Sequence, residues 1–307
     1  MKQRIAALFT GQGAQKIGMG KSFFEASEVA QELFKTADKT LGFKLSELCF
    51  KGPIEELTLT ANAQPALLLT SFIAFKLSGI QPLAGAGHSL GEYSALVAAG
   101  SLKFEDAINL VHKRGRYMQE AVPAGTGKMI AVMGPEEVEL QELINQVTNS
   151  RTGVIVEIAN LNTPGQTVLS GNNSGIDDFL KLAGEKKIKV IPLNVSAPFH
   201  CSLMQSAADK LAIDLELTEF RDPEWVIYSN VTAQAVKTGV TARELLKKQV
   251  CGSVRWFESV RNMLQENNIE VTIEFGASDV LTKMQKRIND TVEKYVVSDM
   301  QQLQALI

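Results

Sequence analysis

The stretch 83–96, LAGAGHSLGEYSAL, constrains the fold of this chain more than any other segment. Small and apolar residues lead into the turn GHSLG, residues 87–91, and a helical pattern follows. A Gly-x-Ser-x-Gly turn between a strand and a helix forms a sharp elbow that lifts the serine hydroxyl out of the sheet. The stretch therefore predicts a nucleophile at Ser89. The alternative is a glycine-rich turn whose serine only caps the helix.

Strands and helices alternate along most of the chain, as they do around this elbow. A strand is expected at residues 4–10, and a capping box at Ser22 and Glu25 predicts one helix that continues to Leu41. The late strand VTIEF, residues 271–275, is largely apolar, which is typical of a parallel strand covered on both faces. The pattern predicts an α/β fold whose large domain is built on a mostly parallel sheet.

The pattern changes after the linker PAGTG at residues 123–127. The next segment is predicted as strand, helix, strand, strand, helix and strand, which is the ferredoxin-like order. We therefore expect residues 1–124 and 195–307 to form a large α/β catalytic domain that carries the serine elbow. Residues 125–194 are expected to form a ferredoxin-like domain inserted into it.

Composition excludes several classes of function. The 307 residues are 45% hydrophobic with a net charge of −3, which gives no electrostatic support for a nucleic-acid partner. No apolar run reaches the roughly 20 residues that span a membrane, and the first apolar run is too short for a signal peptide. The three cysteines, an odd number far apart, suit a reducing compartment. We expect a cytoplasmic protein that is a monomer by default.

A serine nucleophile needs a base, and the chain has only three histidines. The side chain of His88 is expected to point away from that of its neighbour Ser89, and His112 lies in a helical stretch beside other basic residues. His200 lies where the insert returns to the large domain, so position makes it a candidate base without deciding the question. A Ser–His dyad is the most economical expectation. Cys201 adjoins His200, but no further ligands are spaced for a metal site.

Five blocks of sequence occur in order along nearly the whole chain. They are GQGAQ (11–15), GHSLGEYSAL (87–96), RGRYMQEAVPAGTG (114–127), NLNTPGQTVLSG (160–171) and VSAPFHCSLM (195–204). Together they resemble the malonyl-CoA:acyl-carrier-protein transacylases, which serve fatty acid or polyketide synthesis.

The resemblance implies a set of roles. Ser89 would take the malonyl group from CoA as an ester, and His200 would be its general base and acid. The backbone amides of Gln12 and Leu90 would form the oxyanion hole. Arg114 would bind the malonyl carboxylate. Gln249 and Asn162 would be supporting residues. The implied partners are coenzyme A thioester and an acyl carrier protein, with no permanently bound cofactor and no metal.

Alternatives remain open at this point. Read without the resemblance, the stretch HKRGR around Arg114 favours a solvated basic helix face. An acyl hydrolase of the same fold, which clears acyl groups from carrier proteins, is a second function, although such relatives typically lack the arginine. A non-catalytic module that only docks a carrier protein is a third. Whichever function holds, docking of a carrier protein is expected to use exposed lysines, although such lysines can also be simply solvated. The candidates are Lys186, Lys187, Lys189, Lys247 and Lys248.

Two segments depart from the family pattern. The stretch EFGASDVL, residues 274–281, stands where the family often has Gly-Pro-Gly after the strand. In QVCGSVRW, residues 249–256, Ser253 replaces the usual proline. Both are expected near the back of the cleft, where they would affect its shape rather than the catalytic pair.

Overall fold

A computed structural model describes residues 3–123, 125–195 and 197–307. The strands are β1 (Ile5–Phe9), β2 (Ala84–Gly87), β3 (Gly127–Met133), β4 (Val156–Thr163), β5 (Gln166–Asn172), β6 (Lys189–Leu193), β7 (Val226–Tyr228), β8 (Ala235–Val236), β9 (Val271–Phe275) and β10 (Glu293–Val297). The helices are α1 (Lys21–Ala26), α2 (Glu28–Leu41), α3 (Leu45–Lys51), α4 (Ile54–Thr58), α5 (Thr60–Ser78), α6 (Gly91–Ala98), α7 (Phe104–Glu120), α8 (Glu137–Thr148), α9 (Asn173–Glu185), α10 (Gln205–Leu217), α11 (Gly239–Gln249), α12 (Trp256–Glu266), α13 (Val280–Ile288) and α14 (Met300–Leu306).

The larger sheet has the strand order β10-β9-β1-β2-β7-β8, and only the pair β7–β8 is antiparallel. Helices cover both of its faces, which is why its central strands are apolar throughout. Ala7 and Phe9 of β1 belong to the hydrophobic core that contains the buried helix α5. Ala6 and Leu8, which point the other way, pack in the core that contains α12. The predicted α/β class with a mostly parallel sheet is confirmed.

The smaller sheet is antiparallel, with the order β4-β5-β3-β6 and with α8 and α9 packed in its own core. This order and its βαββαβ connectivity are those of a ferredoxin-like domain. The two sheets are joined where β4 meets the loop before α12: Leu161 N donates to the Val254 carbonyl at 2.9 Å, and Val254 N donates to the Ala159 carbonyl at 2.8 Å. On this basis we propose domain boundaries at 124/125 and 194/195. Ala124 itself, like Ser196 of the VSAPFHCSLM block, lies outside the described residues.

The single helix predicted from Ser22 to Leu41 is wrong. Helix α1 ends at Ala26, and α2 begins after Ser27, whose extended backbone and hydroxyl cap the new helix by accepting from Ala30 N at 3.4 Å. Ser22 lies inside α1 and its hydroxyl accepts from Met300 N at 3.1 Å, far along the chain. Ser27 is therefore the capping residue, because a serine oxygen satisfies one of the free amides of a first helical turn.

Four elements were not predicted from the sequence: α3, β8, β10 and α14. Strand β8 has two residues, and β10, EKYVV, is an edge strand that mixes polar and apolar residues. Within the described ranges, no helix combines the length and the apolar character needed to cross a bilayer.

Candidate active site

The serine elbow forms at the carboxyl end of β2, in the middle of the larger sheet. Ser89 has a left-handed backbone, with φ of 51°. The flanking glycines are required by close approach: a Cβ on Gly87 would lie 1.9 Å from the Gly91 carbonyl, and a Cβ on Gly91 would lie 2.1 Å from the Phe9 oxygen. The turn is therefore as tight as a nucleophile elbow requires.

The Ser89 hydroxyl oxygen lies 2.7 Å from Nε2 of His200. On the other side of the ring, Nδ1 is 2.9 Å from the Gln249 carbonyl and 3.2 Å from the Gly252 carbonyl. Because carbonyl oxygens only accept, Nδ1 carries the proton and Nε2 presents its lone pair to the serine. Backbone carbonyls thus take the place that a carboxylate occupies in a triad, as the expected dyad requires.

Burial, helped by the positive charge of Arg114, lowers the pKa of His200 to about 3. The imidazole is therefore neutral at ordinary pH, which is the form that can accept a proton from the serine. Like Ser89, His200 has a left-handed backbone, with φ of 58°.

The other two histidines have different partners. Nε2 of His88 forms a hydrogen bond of 2.9 Å with Oδ1 of Asn162, and its ring packs against Trp256. Burial lowers the pKa of His88. Nδ1 of His112 bonds the Ala61 carbonyl at 2.8 Å. Of the three histidines, only His200 contacts the hydroxyl of Ser89.

Arg114 is buried, with only 1% of its surface exposed, so the interpretation of HKRGR as a solvated face is wrong for this residue. Its Nη2 donates to Ser89 Oγ at 3.2 Å and to Gln249 Oε1 at 3.0 Å, and its Nη1 donates to Gln64 Oε1 at 2.8 Å. The guanidinium also lies over the Tyr93 ring, 5.4 Å from its centre. A buried cation therefore lies beside the nucleophile.

The residues expected to form an oxyanion hole lie on two sides of the serine. Leu90 precedes α6, and Gln12 lies in the loop after β1, where its side chain donates to Thr60 Oγ1 at 3.2 Å. In the described part of the chain, neither the backbone amide of Gln12 nor that of Leu90 donates to another protein group. Both amides are thus available to a ligand, and the amino end of α6 adds its positive potential.

Three further residues complete the site and were missed from the sequence. Asn230 Oδ1 accepts from Ser89 N at 2.7 Å, and the buried Glu92 accepts from Asn230 N at 3.1 Å and from Gln249 Nε2 at 2.7 Å. The third residue is Gln64, which accepts the hydrogen bond from Arg114 Nη1 described above. Asn230 follows a buried parallel strand and Glu92 interrupts an apolar helix, and both are signals that could have been used.

A cavity of about 480 Å³ opens above these groups. Ser89, Arg114, His200 and Gln12 line it on the larger-sheet side, and Asn162, Met129, Val168 and Leu193 line it on the smaller-sheet side. Exposed apolar side chains surround its mouth: Leu59, Leu193, Val195 and Val280. The cavity thus has a largely apolar mouth and, at its inner end, the nucleophile and the guanidinium of Arg114.

One of the two departing segments lines this cavity through Val280 and Leu281, whereas the other contacts the base and β4 behind it. Gly252 supplies a carbonyl to His200, and the next residue, Ser253, donates its hydroxyl to the Ile158 carbonyl of β4. In the other segment, Glu274 accepts from the amides of Leu281 and Thr282 at 3.0 and 2.7 Å, which holds the start of α13 against the cavity. The segments support the wall of the site.

No group of three or more potential ligands, whether His, Cys, Asp or Glu, is assembled for a metal ion by the described residues. Cys201, which adjoins the base, donates its thiol to the Pro198 carbonyl at 3.1 Å.

The chain is similar to known proteins over nearly its whole length. The model of the acyl transferase domain family matches residues 7–305. The malonyl CoA-acyl carrier protein transacylase of Bacillus subtilis strain 168 is 46% identical over 308 residues, which cover 99% of this chain and 96% of that protein. The enzyme of the same name from Escherichia coli K12 is 39% identical, with 94% of each chain covered.

Solved structures are equally similar. An acyl carrier protein S-malonyltransferase from Vibrio cholerae superposes with a TM-score of 0.94 at 39% identity, covering 99% of this chain and 100% of that one. A malonyl-transacylase in complex with its type II PKS acyl-carrier protein has a TM-score of 0.94 at 38% identity, with 99% of each chain covered.

Proposed function

Because this chain belongs to the family of malonyl CoA-acyl carrier protein transacylases, we propose that it moves a malonyl group from malonyl-CoA to the phosphopantetheine thiol of an acyl carrier protein. One observation carries the proposal. The Ser89 hydroxyl is in hydrogen-bond contact with a neutral base, His200, and with a buried cation, Arg114. A nucleophile in this setting suits an acyl group that carries its own negative charge.

In the first half-reaction the Ser89 oxygen attacks the thioester carbonyl while Nε2 of His200 takes the hydroxyl proton. The amides of Gln12 and Leu90 stabilise the oxyanion that forms. The carbon–sulfur bond then breaks, His200 returns the proton to the CoA sulfur, and malonyl remains as an ester on Ser89. In the second half-reaction the carrier thiol gives its proton to His200 and attacks the ester carbonyl. The bond between that carbon and the Ser89 oxygen breaks, His200 returns the proton to Ser89, and malonyl remains on the carrier as a thioester.

Arg114 selects the acyl group. In a malonyl thioester, the free carboxylate is separated from the reacting carbonyl by one methylene group. The short distance between the guanidinium and the Ser89 oxygen, 3.2 Å, suits that short separation. Arginine offers two parallel donors to a carboxylate, which lysine cannot do.

The carrier protein must deliver its thiol through the apolar mouth of the cavity. Of the lysines considered for docking, Lys186, Lys187, Lys189 and Lys248 are exposed, whereas Lys247 bonds Glu244 at 2.8 Å and also Glu216. The four exposed lysines therefore remain candidates for docking, and Lys247 does not.

The enzyme is proposed to work in the cytoplasm, as a monomer without a permanently bound cofactor. Its three cysteines are free thiols, which supports a reducing compartment.

Intact-mass measurement tests the proposal directly. The wild type mixed with malonyl-CoA should gain one malonyl group, which an acyl carrier protein should then remove. Ser89→Ala should gain none. A hydrolase would instead release malonate to water without carrier protein, and a docking module would never be acylated. An adduct on another residue would refute the assignment of Ser89.

A further inference from the structure

A buried carboxylate lies behind the catalytic groups, and the mechanism above does not use it. Glu92 is in the first turn of α6, three residues after the nucleophile, and is 2% exposed. Its Oε2 accepts from Gln249 Nε2 at 2.7 Å and from Asn230 N at 3.1 Å. Burying a charge is costly unless it is paired and hydrogen-bonded, so the partners of Glu92 need to be accounted for.

Glu92 fixes which way the Gln249 amide points. The amide nitrogen faces the Glu92 carboxylate and the Ser89 carbonyl, the latter at 3.0 Å, and the amide oxygen faces Arg114. In the reversed orientation the oxygen would face the carboxylate and the NH₂ would face the guanidinium, so both contacts would be repulsive. A negative charge at one end and a positive charge at the other therefore hold one orientation.

This arrangement leaves the charge of Arg114 available. Its recorded amide partners are oxygens of Gln64 and Gln249, and within the described ranges no carboxylate forms an ion pair with it. A carboxylate in direct contact would compete with a substrate carboxylate for the same donors. Glu92 supplies the compensating negative charge one amide away, without occupying the guanidinium.

We propose that Glu92 is a positioning residue that, by orienting Gln249, holds Arg114 ready for the malonyl carboxylate. The inference rests on the proposed function, because it concerns selection of the acyl group by Arg114. It predicts that loss of the Glu92 charge lowers the preference for malonyl-CoA over acetyl-CoA.

Few charges face this carboxylate. Arg114 approaches from α7, Tyr93 is on the same helix, and the amides of Gln249 and Asn230 are neutral. Burial raises the pKa of Glu92 to about 7 and that of Tyr93 to about 12. Of these groups, only Glu92 changes its charge between about pH 5.5 and about pH 8.

The first experiment measures kcat/KM for malonyl-CoA and acetyl-CoA in the wild type, Glu92→Gln and the control Glu105→Gln, which removes an exposed glutamate charge. In Glu92→Gln the malonyl-to-acetyl ratio should fall roughly tenfold or more, the effect of weakening one hydrogen bond to a charged group. The control should keep the ratio of the wild type. When Gln249 is already replaced by Leu, Glu92→Gln should change the malonyl-to-acetyl ratio little further, because Gln249 transmits the effect of Glu92 to Arg114.

The second experiment needs no variant. The wild-type ratio should fall as the pH is lowered from about 8 to about 5.5, because Glu92 becomes protonated in that interval. Titration of the CoA phosphates affects both substrates alike and cancels in the ratio. Burial also raises the pKa of Glu274 to about 7, but Glu274 bonds the amides of Leu281 and Thr282 instead of Gln249 or Arg114, so its titration should affect both substrates alike. This measurement decides the question if Glu92→Gln does not fold.

A ratio that is constant or rises, in Glu92→Gln or in the wild type at low pH, overturns the inference, as do additive effects with Gln249→Leu. If the wild type shows no preference for malonyl-CoA, the proposed function itself has failed. If the wild type prefers malonyl-CoA but the ratio changes neither in Glu92→Gln nor with pH, only the positioning role has failed.

Discussion

Arg114 donates a hydrogen bond of 3.2 Å to the hydroxyl oxygen of Ser89. Because the hydroxyl accepts from Arg114, its own proton is directed at the remaining close partner, Nε2 of His200. Arg114, which we propose binds the substrate carboxylate, therefore also helps to fix the direction of the Ser89 hydroxyl proton before substrate binds.

Replacing Arg114 should make the enzyme indifferent to the substrate carboxylate. Loss of one partner of a buried ion pair costs roughly 3–5 kcal/mol, so kcat/KM for malonyl-CoA should fall roughly 10² to 10³-fold in Arg114→Ala. Acetyl-CoA has no carboxylate to leave unpaired, so its rate should hold or rise. Arg114→Lys should restore only part of the preference.

The matched control for Arg114 is Arg116→Ala, which removes an exposed arginine from the same helix. It should retain wild-type selectivity. An equal loss for both substrates in Arg114→Ala would mean that the residue only supports the fold.

Removing the base should slow transfer without preventing binding. In His200→Ala, kcat should fall by on the order of 10²-fold or more, the usual contribution of a positioned acid–base group. His112→Ala serves as the control, because His112 bonds the Ala61 carbonyl instead of the serine. A similar loss in the two variants would contradict the assignment of the base.

The reactivity of Ser89 should be insensitive to pH in the range where an ordinary histidine titrates. Since burial lowers the pKa of His200 to about 3, the base stays neutral and active down to that value, and is lost only as the pH falls through it. The rate at which phenylmethylsulfonyl fluoride, an uncharged reagent, sulfonylates Ser89 should therefore be flat from about pH 8 to about pH 5. Because Glu92 titrates near 7, the rate is also measured in Glu92→Gln, and a midpoint near 6.5 that persists in this variant would show that the His200 ring is solvated.

Much of this site could be predicted from local sequence. The strand–GHSLG–helix pattern identified Ser89 because the close approach of Gly87 and Gly91 is a property of the turn itself. Elimination among three histidines left His200 as a candidate. The helical spacing of buried residues in α7, which places Ala107, Val111, Arg114 and Met118 on one face, would have shown that Arg114 points inward.

The supporting residues could not be predicted in the same way. Gln64 lies in an apolar helix, and its link to Arg114 spans 50 positions. Asn230 and Glu92 are joined across 138 positions. Such contacts depend on how helices pack on the sheet, which periodicity does not specify. The break at Ser27 was missed for a related reason: the helical pattern continues through it, whereas the chain changes direction.

Ser89 and His200 have φ angles of 51° and 58°, a backbone region that side chains other than glycine enter only at a cost. Glycine would relax the chain at either position. Selection for stability alone would thus favour glycine at both positions, whereas the proposed reaction requires the serine and the histidine. Gains in stability from relaxing the backbone must therefore come from other positions with the same conformation, such as Lys187, Ala233 and Asn268, whose φ angles are 56°, 55° and 47°.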